Sequence, residues 1–158
     1  MKNYKNREAN RSFKSDTDFE SRVIDLARVT RVMAGGKRMR FRACVVVGDR
    51  RGQIGWAVAK GADVSIAVNK ATSQAKKRLI KVPLKDGTIP HQMFCKFKAA
   101  KIFLRPAKSG TGVIAGGAAR QVFELAGYQD INAKLLGSNN KINNVRVVFK
   151  ALQSMKGQ

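Results

Sequence analysis

Arg38, Arg40 and Arg42 stand at every second position of the stretch from Lys37 to Val47. That spacing puts three guanidiniums on one side of an extended strand. Met39, Phe41, Ala43, Val45 and Val47 point the other way, while Cys44 continues the arginine side. Period-two alternation marks a half-buried strand. Aligned guanidiniums donate hydrogen bonds to phosphate oxygens. Arg28 and Arg31 precede the strand, Lys37 opens it, Arg50 and Arg51 lie in the following turn, and Lys60 closes the next strand. Asp49 is the one acid from Val29 to Lys60. A solvated surface mixes both signs, so a strip of one sign implies a polyanionic partner.

The residues that would support other chemistry are sparse. His91 is the only histidine and follows a proline at a junction. Cys44 and Cys95 are isolated in expected strands, which reads as two reduced structural thiols. No Cys, His and carboxylate cluster has metal-ligand spacing, so no metal and no cofactor are expected. The glycine-rich run Arg105–Arg120 invites a nucleotide-site reading and fails on detail. A Walker loop needs Lys and Ser or Thr after Gly117, where Ala118 and Ala119 stand. A dinucleotide fingerprint starting at Gly110 needs Gly where Ala115 stands. A loop feeding a helix N-terminus remains, a generic phosphate site. Neither an enzyme nor a small-molecule substrate is expected.

The elements that position these residues follow from periodicity. The chain has 158 residues and a formal net charge of +22, from 32 Lys and Arg against 10 Asp and Glu. Such an excess repels itself in a free globule, which favours nucleic acid as partner. An anionic membrane is disfavoured, because no stretch approaches ~18 uninterrupted apolar residues, and the polar N-terminus lacks a secretory core. Residues 1–18 read as a flexible basic tail that orders against RNA. Residues 19–83 read as a β-β-β-α unit: a strand over Ser21–Met33, the arginine strand, a strand over Gln53–Ala59, and a helix from Asp63 to Ile80. Two glycine-bearing turns, Ala34–Lys37 and Gly48–Gly52, join the strands. The Pro- and Gly-containing run Val82–Pro90 marks the junction. Residues 84–158 read as a second α/β unit. Its strands lie over His91–Phe97, Lys101–Arg105 and Asp130–Leu136, with a helix ending at Gly127. Gly137–Asn140 is a turn, and Asn143 is the expected N-cap of the last helix. The class is α+β.

Read in order, TRVMAGGKRMRFRACVVVGDRRGQIGWA, VPLKDGTIPH, LRPAKSGTGVIAGGAAR, ELAG and LGSNN-IN resemble the universal S-five family of bacterial small-subunit ribosomal proteins. The resemblance runs from about Arg22 to Leu152. It implies a double-stranded-RNA-binding-like first domain and a second domain of the S-five domain-two type. The implied role is that of a structural constituent binding small-subunit rRNA, supporting assembly and translational accuracy. The implied location is the cytoplasm, in the ribosome. Implied partners are proteins of the S-four and S-eight families and mRNA where it enters the subunit. The expected RNA-contacting residues are Arg28, Arg31, Gly35, Gly36, Lys37, Arg38, Arg40, Arg42, Arg50, Arg51, Lys60, Ser138 and Asn139. By resemblance, Gly112 and Arg120 face the S-four-family neighbour. The chain departs from the family pattern at Ala57, Ala59, Lys98 and Ala100, where glycine is usual, and at Lys141, where proline is usual. The rival reading is a free-standing double-stranded-RNA-binding regulator or chaperone, which leaves the glycine-rich loop and the GSNN turn unexplained.

Overall fold

The computed structural model describes residues 19–155, so the expected tail over residues 1–18 lies outside the described residues. Strands β1 (Glu20–Met33), β2 (Gly36–Gly48) and β3 (Gln53–Gly61) form an antiparallel meander. Helix α1 (Val64–Lys76) follows, and the two-residue β4 (Ile80–Lys81) returns to the edge of β3. The helix is shorter than its apolar period implies, because Ile80 is taken into β4 opposite Ile54. Its inner face is alanine: Ala67, Ala71 and Ala75 pack on Ala43, Val45, Val47, Ala57 and Ala59. Ala57 and Ala59 are thus strand residues buried under the helix.

The second half contributes β5 (Met93–Phe97), β6 (Ala100–Pro106), β7 (Val113–Ile114), α2 (Gly117–Ala126), β8 (Ile131–Leu136) and α3 (Lys141–Ser154). Its sheet has the order β5-β6-β8-β7, with β7 parallel to β8 and the other pairs antiparallel. The architecture is α+β, as the alternation and helical stripes imply. Part of the glycine-rich run is therefore strand. Helix α3 begins earlier than expected: its N-cap is Asn140, not Asn143. Asn140 Oδ1 accepts from the amides of Ile142 at 3.0 Å and Asn143 at 3.4 Å, satisfying donors that the first helical turn leaves open.

The layers stack as α1, first sheet, α2 with α3, second sheet. Helices α2 and α3 are covered on both sides. Val122, Phe123, Val145 and Val148 share one core with Ile24, Cys44, Val46 and Ile54 of the first sheet and with Ile102, Leu104 and Ile131 of the second. This corrects the expectation of one apolar and one arginine-bearing face on β2. From Ala43 to Val47 the strand is fully buried on both faces, because the second domain covers the side that Cys44 and Val46 present. Arg146 of α3 helps seal the boundary: its guanidinium carbon lies 5.3 Å from the Trp56 ring centre and 5.6 Å from that of Phe97, a cation–π geometry.

The register of β1 slips once. Val23 lies opposite Val45 and Asp25 opposite Cys44, leaving Ile24 unpaired. One extra residue moves the following side chains to the other face. Asp25 is thereby brought to the side that carries Arg42.

Candidate nucleic-acid interface

Beyond the second domain, β1 and β2 continue as a two-stranded ribbon ending at the Met33–Gly36 pair. Cross-strand partners share a face. Arg31 is opposite Arg38, Val29 opposite Arg40, Ala27 opposite Arg42, and Arg42 opposite Lys60. Arg31, Arg38, Arg40, Arg42 and Lys60 therefore stand on one side. A concavity of about 260 Å³ is lined there by Val29, Thr30, Arg31, Met33, Arg38, Arg40 and Lys60. Arg28 and Lys37 pair with Phe41 and Val32 and so point to the opposite side, that of α1. At the tip, Gly36 has φ +145° and no heavy atom within 4 Å of where a side chain would begin, as is also true of Gly35. The turn is open to close approach from outside.

The ribbon is not as free of acid as the local sequence implies. Arg42 Nη2 donates to Asp25 Oδ2 at 3.2 Å, and its Nε is buried without a partner among the described residues. Lys141 lies 3.7 Å from the same carboxylate. Arg38, Arg40, Arg31 and Lys60 have no ion-pair partner among the described residues.

The second turn is not a free tip. The amides of Arg50 and Gly52 donate to the carbonyls of Leu125 and Ala126 at the end of α2, each at 3.0 Å. Arg50 takes a left-handed backbone, φ 55°, and its Nε donates to Glu20 at 2.9 Å. Arg51 is exposed, its amide tied to Asp49 Oδ1 at 2.8 Å. Glu20 also accepts from Arg22 Nε at 3.1 Å, and Arg22 Nη1 reaches Glu124 of α2 at 2.6 Å. Arg120 Nε completes the chain at Glu124 Oε1, 2.8 Å away. Hydrogen bonds from Arg120 and then Arg22 hold the Glu124 carboxyl below the usual range, and Arg50 does the same for Glu20. The network of Arg22, Glu20 and Glu124 was missed in the sequence because Arg22 and Glu124 stand 102 residues apart and Glu20 and Arg50 stand 30 apart.

Arg120 is 60% exposed beyond its contact with Glu124. Gly112 lies elsewhere, before β7, with φ +79°; its amide donates to the buried Asp130 at 2.8 Å. Ser138 accepts from the Asn140 amide at 3.2 Å, and Asn139 is exposed. The contact between Lys141 and Asp25 sets that turn near the middle of β1. Lys98, in the β5–β6 turn, has φ 53°. Ala100 opens β6 fully buried. His91 is exposed, and no three His, Cys, Asp or Glu converge as a metal site among the described residues. Burial pushes the Cys44 thiol up to about 11, leaving it unreactive.

A cationic meander clasped to a second α/β unit defines the class as a two-domain α+β protein built to meet a polyanion. The family description "Ribosomal protein S5, N-terminal domain" matches residues 19–83, and "Ribosomal protein S5, C-terminal domain" matches residues 95–158. The chain is similar to small ribosomal subunit protein uS5 of Hydrogenobaculum sp. (strain Y04AAS1), 49% identical over 141 residues that cover 89% of this chain and 75% of the relative. It is 48% identical over 151 residues to the protein of that name from Acaryochloris marina (strain MBIC 11017), covering 95% and 85%. It is 45% identical over 151 residues to small ribosomal subunit protein uS5c of Rhodomonas salina, covering 95% and 90%. The chain belongs to the ribosomal protein S5 family.

Proposed function

We propose that the chain is a structural, non-enzymatic constituent of the small ribosomal subunit and binds small-subunit rRNA through its first sheet. The observation that carries this reading is the concavity on the β1–β2 ribbon, where Arg31, Arg38, Arg40 and Lys60 converge with no acid in its lining. Val29 and Met33 line the same concavity, and long cationic side chains beside apolar residues suit phosphates. Membership of the S5 family supports the ribosomal setting. The proposal extends to neighbours of the S-four and S-eight families, to mRNA where it enters the subunit, and to decoding accuracy. Gly112 before β7 and the exposed end of Arg120 on α2 are two separate points offered to the S-four-family neighbour, and Ser138 and Asn139 supply further RNA contacts. The location is cytoplasmic, in the ribosome.

Sedimentation of a cell lysate tests the central claim. The protein is expected to travel almost wholly with small subunits, whereas a pool remaining at the top of the gradient would favour a free-standing RNA-binding regulator. The decoding claim has its own test. Small subunits that fully incorporate Arg120→Leu are expected to miscode more often, and unchanged miscoding removes that claim.

A further inference from the structure

The second sheet has an inner face buried on α2 and α3 and an outer face covered by nothing among the described residues. Register organises that outer face into rows. Phe94 lies opposite Phe103, which lies opposite Lys134, and Lys96 lies opposite Lys101 in the next row. Arg105 stands two residues along β6 from Phe103 and therefore shares its face. All six side chains are exposed. Among the described residues, Phe94 and Phe103 are also the only exposed phenylalanines, at 58% and 39%. The four cations frame the two rings.

Among the described residues no acid pairs with those cations. The carboxylates of the second half after Asp86 are Glu124 and Asp130. Glu124 is on α2 and engaged by Arg22 and Arg120, while Asp130 is buried and holds the Gly112 amide. An exposed aromatic pair inside a one-sign cationic frame suits a ligand with flat apolar surfaces and a phosphate backbone. A duplex hides its base faces within the helix; an unpaired strand offers them. The ribbon of the first sheet differs, since its exposed apolar residues, Val32, Met33 and Met39, include no ring.

We propose that the outer face of the second sheet binds an unpaired RNA strand, with bases stacked on Phe94 and Phe103 and phosphates met by Lys96, Lys101, Arg105 and Lys134. The proposal rests on the RNA-binding reading above and adds a second site with a different RNA preference.

The test uses the full chain with two probes, a labelled oligouridylate of about ten nucleotides and an RNA hairpin duplex of about 16 base pairs. The double variant Phe94→Leu/Phe103→Leu keeps apolar bulk and removes the π faces. Its oligouridylate affinity is expected to fall at least about fivefold for each ring, with duplex affinity and thermal midpoint unchanged. Lys101→Gln is expected to lower the salt dependence of oligouridylate binding by roughly 0.7 in log–log slope, the share of one single-strand phosphate contact. Parent-like oligouridylate binding by the leucine variant overturns the proposal. So does ultraviolet cross-linking, in intact small subunits, of this face to a neighbouring protein in place of RNA. Weak duplex binding with intact oligouridylate binding would instead sink the reading of the first sheet and leave this one standing.

Discussion

The amide of Arg50, in the turn between β2 and β3, donates to the carbonyl of Leu125 in the last turn of α2 at 3.0 Å. The final carbonyls of a helix have no partner within it. Here Gly127 and Tyr128 return their amides to Phe123, while Leu125 and Ala126 are satisfied by Arg50 and Gly52 from the other domain. The first domain thus caps a helix of the second through its backbone amides.

This clasp depends on close approach at two glycines. A Cβ on Gly48 would overlap the Leu125 carbonyl, and one on Gly127, at φ +94°, would overlap the Arg50 carbonyl. Gly127→Ala is expected to destabilise the protein by at least about 2 kcal/mol, from left-handed backbone strain and overlap together. Gly48→Ala separates the two causes, since it adds overlap alone. Urea unfolding is expected to resolve into two transitions for both variants, and a single unshifted transition would show that the clasp contributes nothing.

The ion-pair chain from Arg50 to Arg120 predicts a pH dependence. Glu20 and Glu124 are held below the usual carboxylate range by their arginines. Their contribution is therefore present above the ordinary glutamate value, about 4.3, and is lost as pH falls through the lowered folded-state values. Glu124→Gln is expected to cost up to about 1 kcal/mol at neutral pH, the scale of partly exposed pairs. It should also flatten the acid limb of the stability curve, measured by urea unfolding from neutral to acid pH. An acid limb identical to the parent's would place the sensitivity elsewhere.

The arginines of the ribbon divide by their partners. With about six to ten phosphate contacts, duplex affinity is expected to fall ~10³- to 10⁵-fold between about 50 and 200 mM salt. Arg38→Ala/Arg40→Ala should reduce the log–log salt slope by roughly two. Arg42→Gln should instead lower folding stability by up to about 1 kcal/mol, because Arg42 is engaged with Asp25. A slope change for Arg42→Gln as large as that for one ribbon arginine would mean that it leaves Asp25 for phosphate.

Lys98 occupies a left-handed backbone conformation that favours glycine. Lys98→Gly is expected to stabilise the chain by up to about 1 kcal/mol, the left-handed cost less the extra flexibility of the unfolded glycine. Thermal unfolding checks this, and a lowered midpoint would show that the lysine side chain contributes more than its backbone costs.

The alternation of Arg38–Val47 determined by itself that β2 is a strand and that its arginines share a side, because a period of two is a local property of extended backbone. The apolar stripe of α1, the Gly127 stop and the one-sign charge of the ribbon were legible for the same reason. The alternation Phe94–Lys96 and Lys101–Phe103–Arg105 was present too, but sequence does not say which face of a strand is covered. Only the tertiary structure decided that Cys44 and Val46 lie beneath the second domain, that Ile24 is bulged so that Asp25 meets Arg42, and that the turn bearing Arg50 and Arg51 docks on α2. It also moved the start of α3 to Asn140 and paired Arg22 with Glu124. The bulge is set between β1 and β2, and the Asn140 cap by amides two and three residues on. The cover over Cys44 and Val46, the docked turn and the Arg22–Glu124 pair depend instead on surfaces that meet only after the two halves pack. Residues far apart in sequence gain their free energy there, and no local period encodes it.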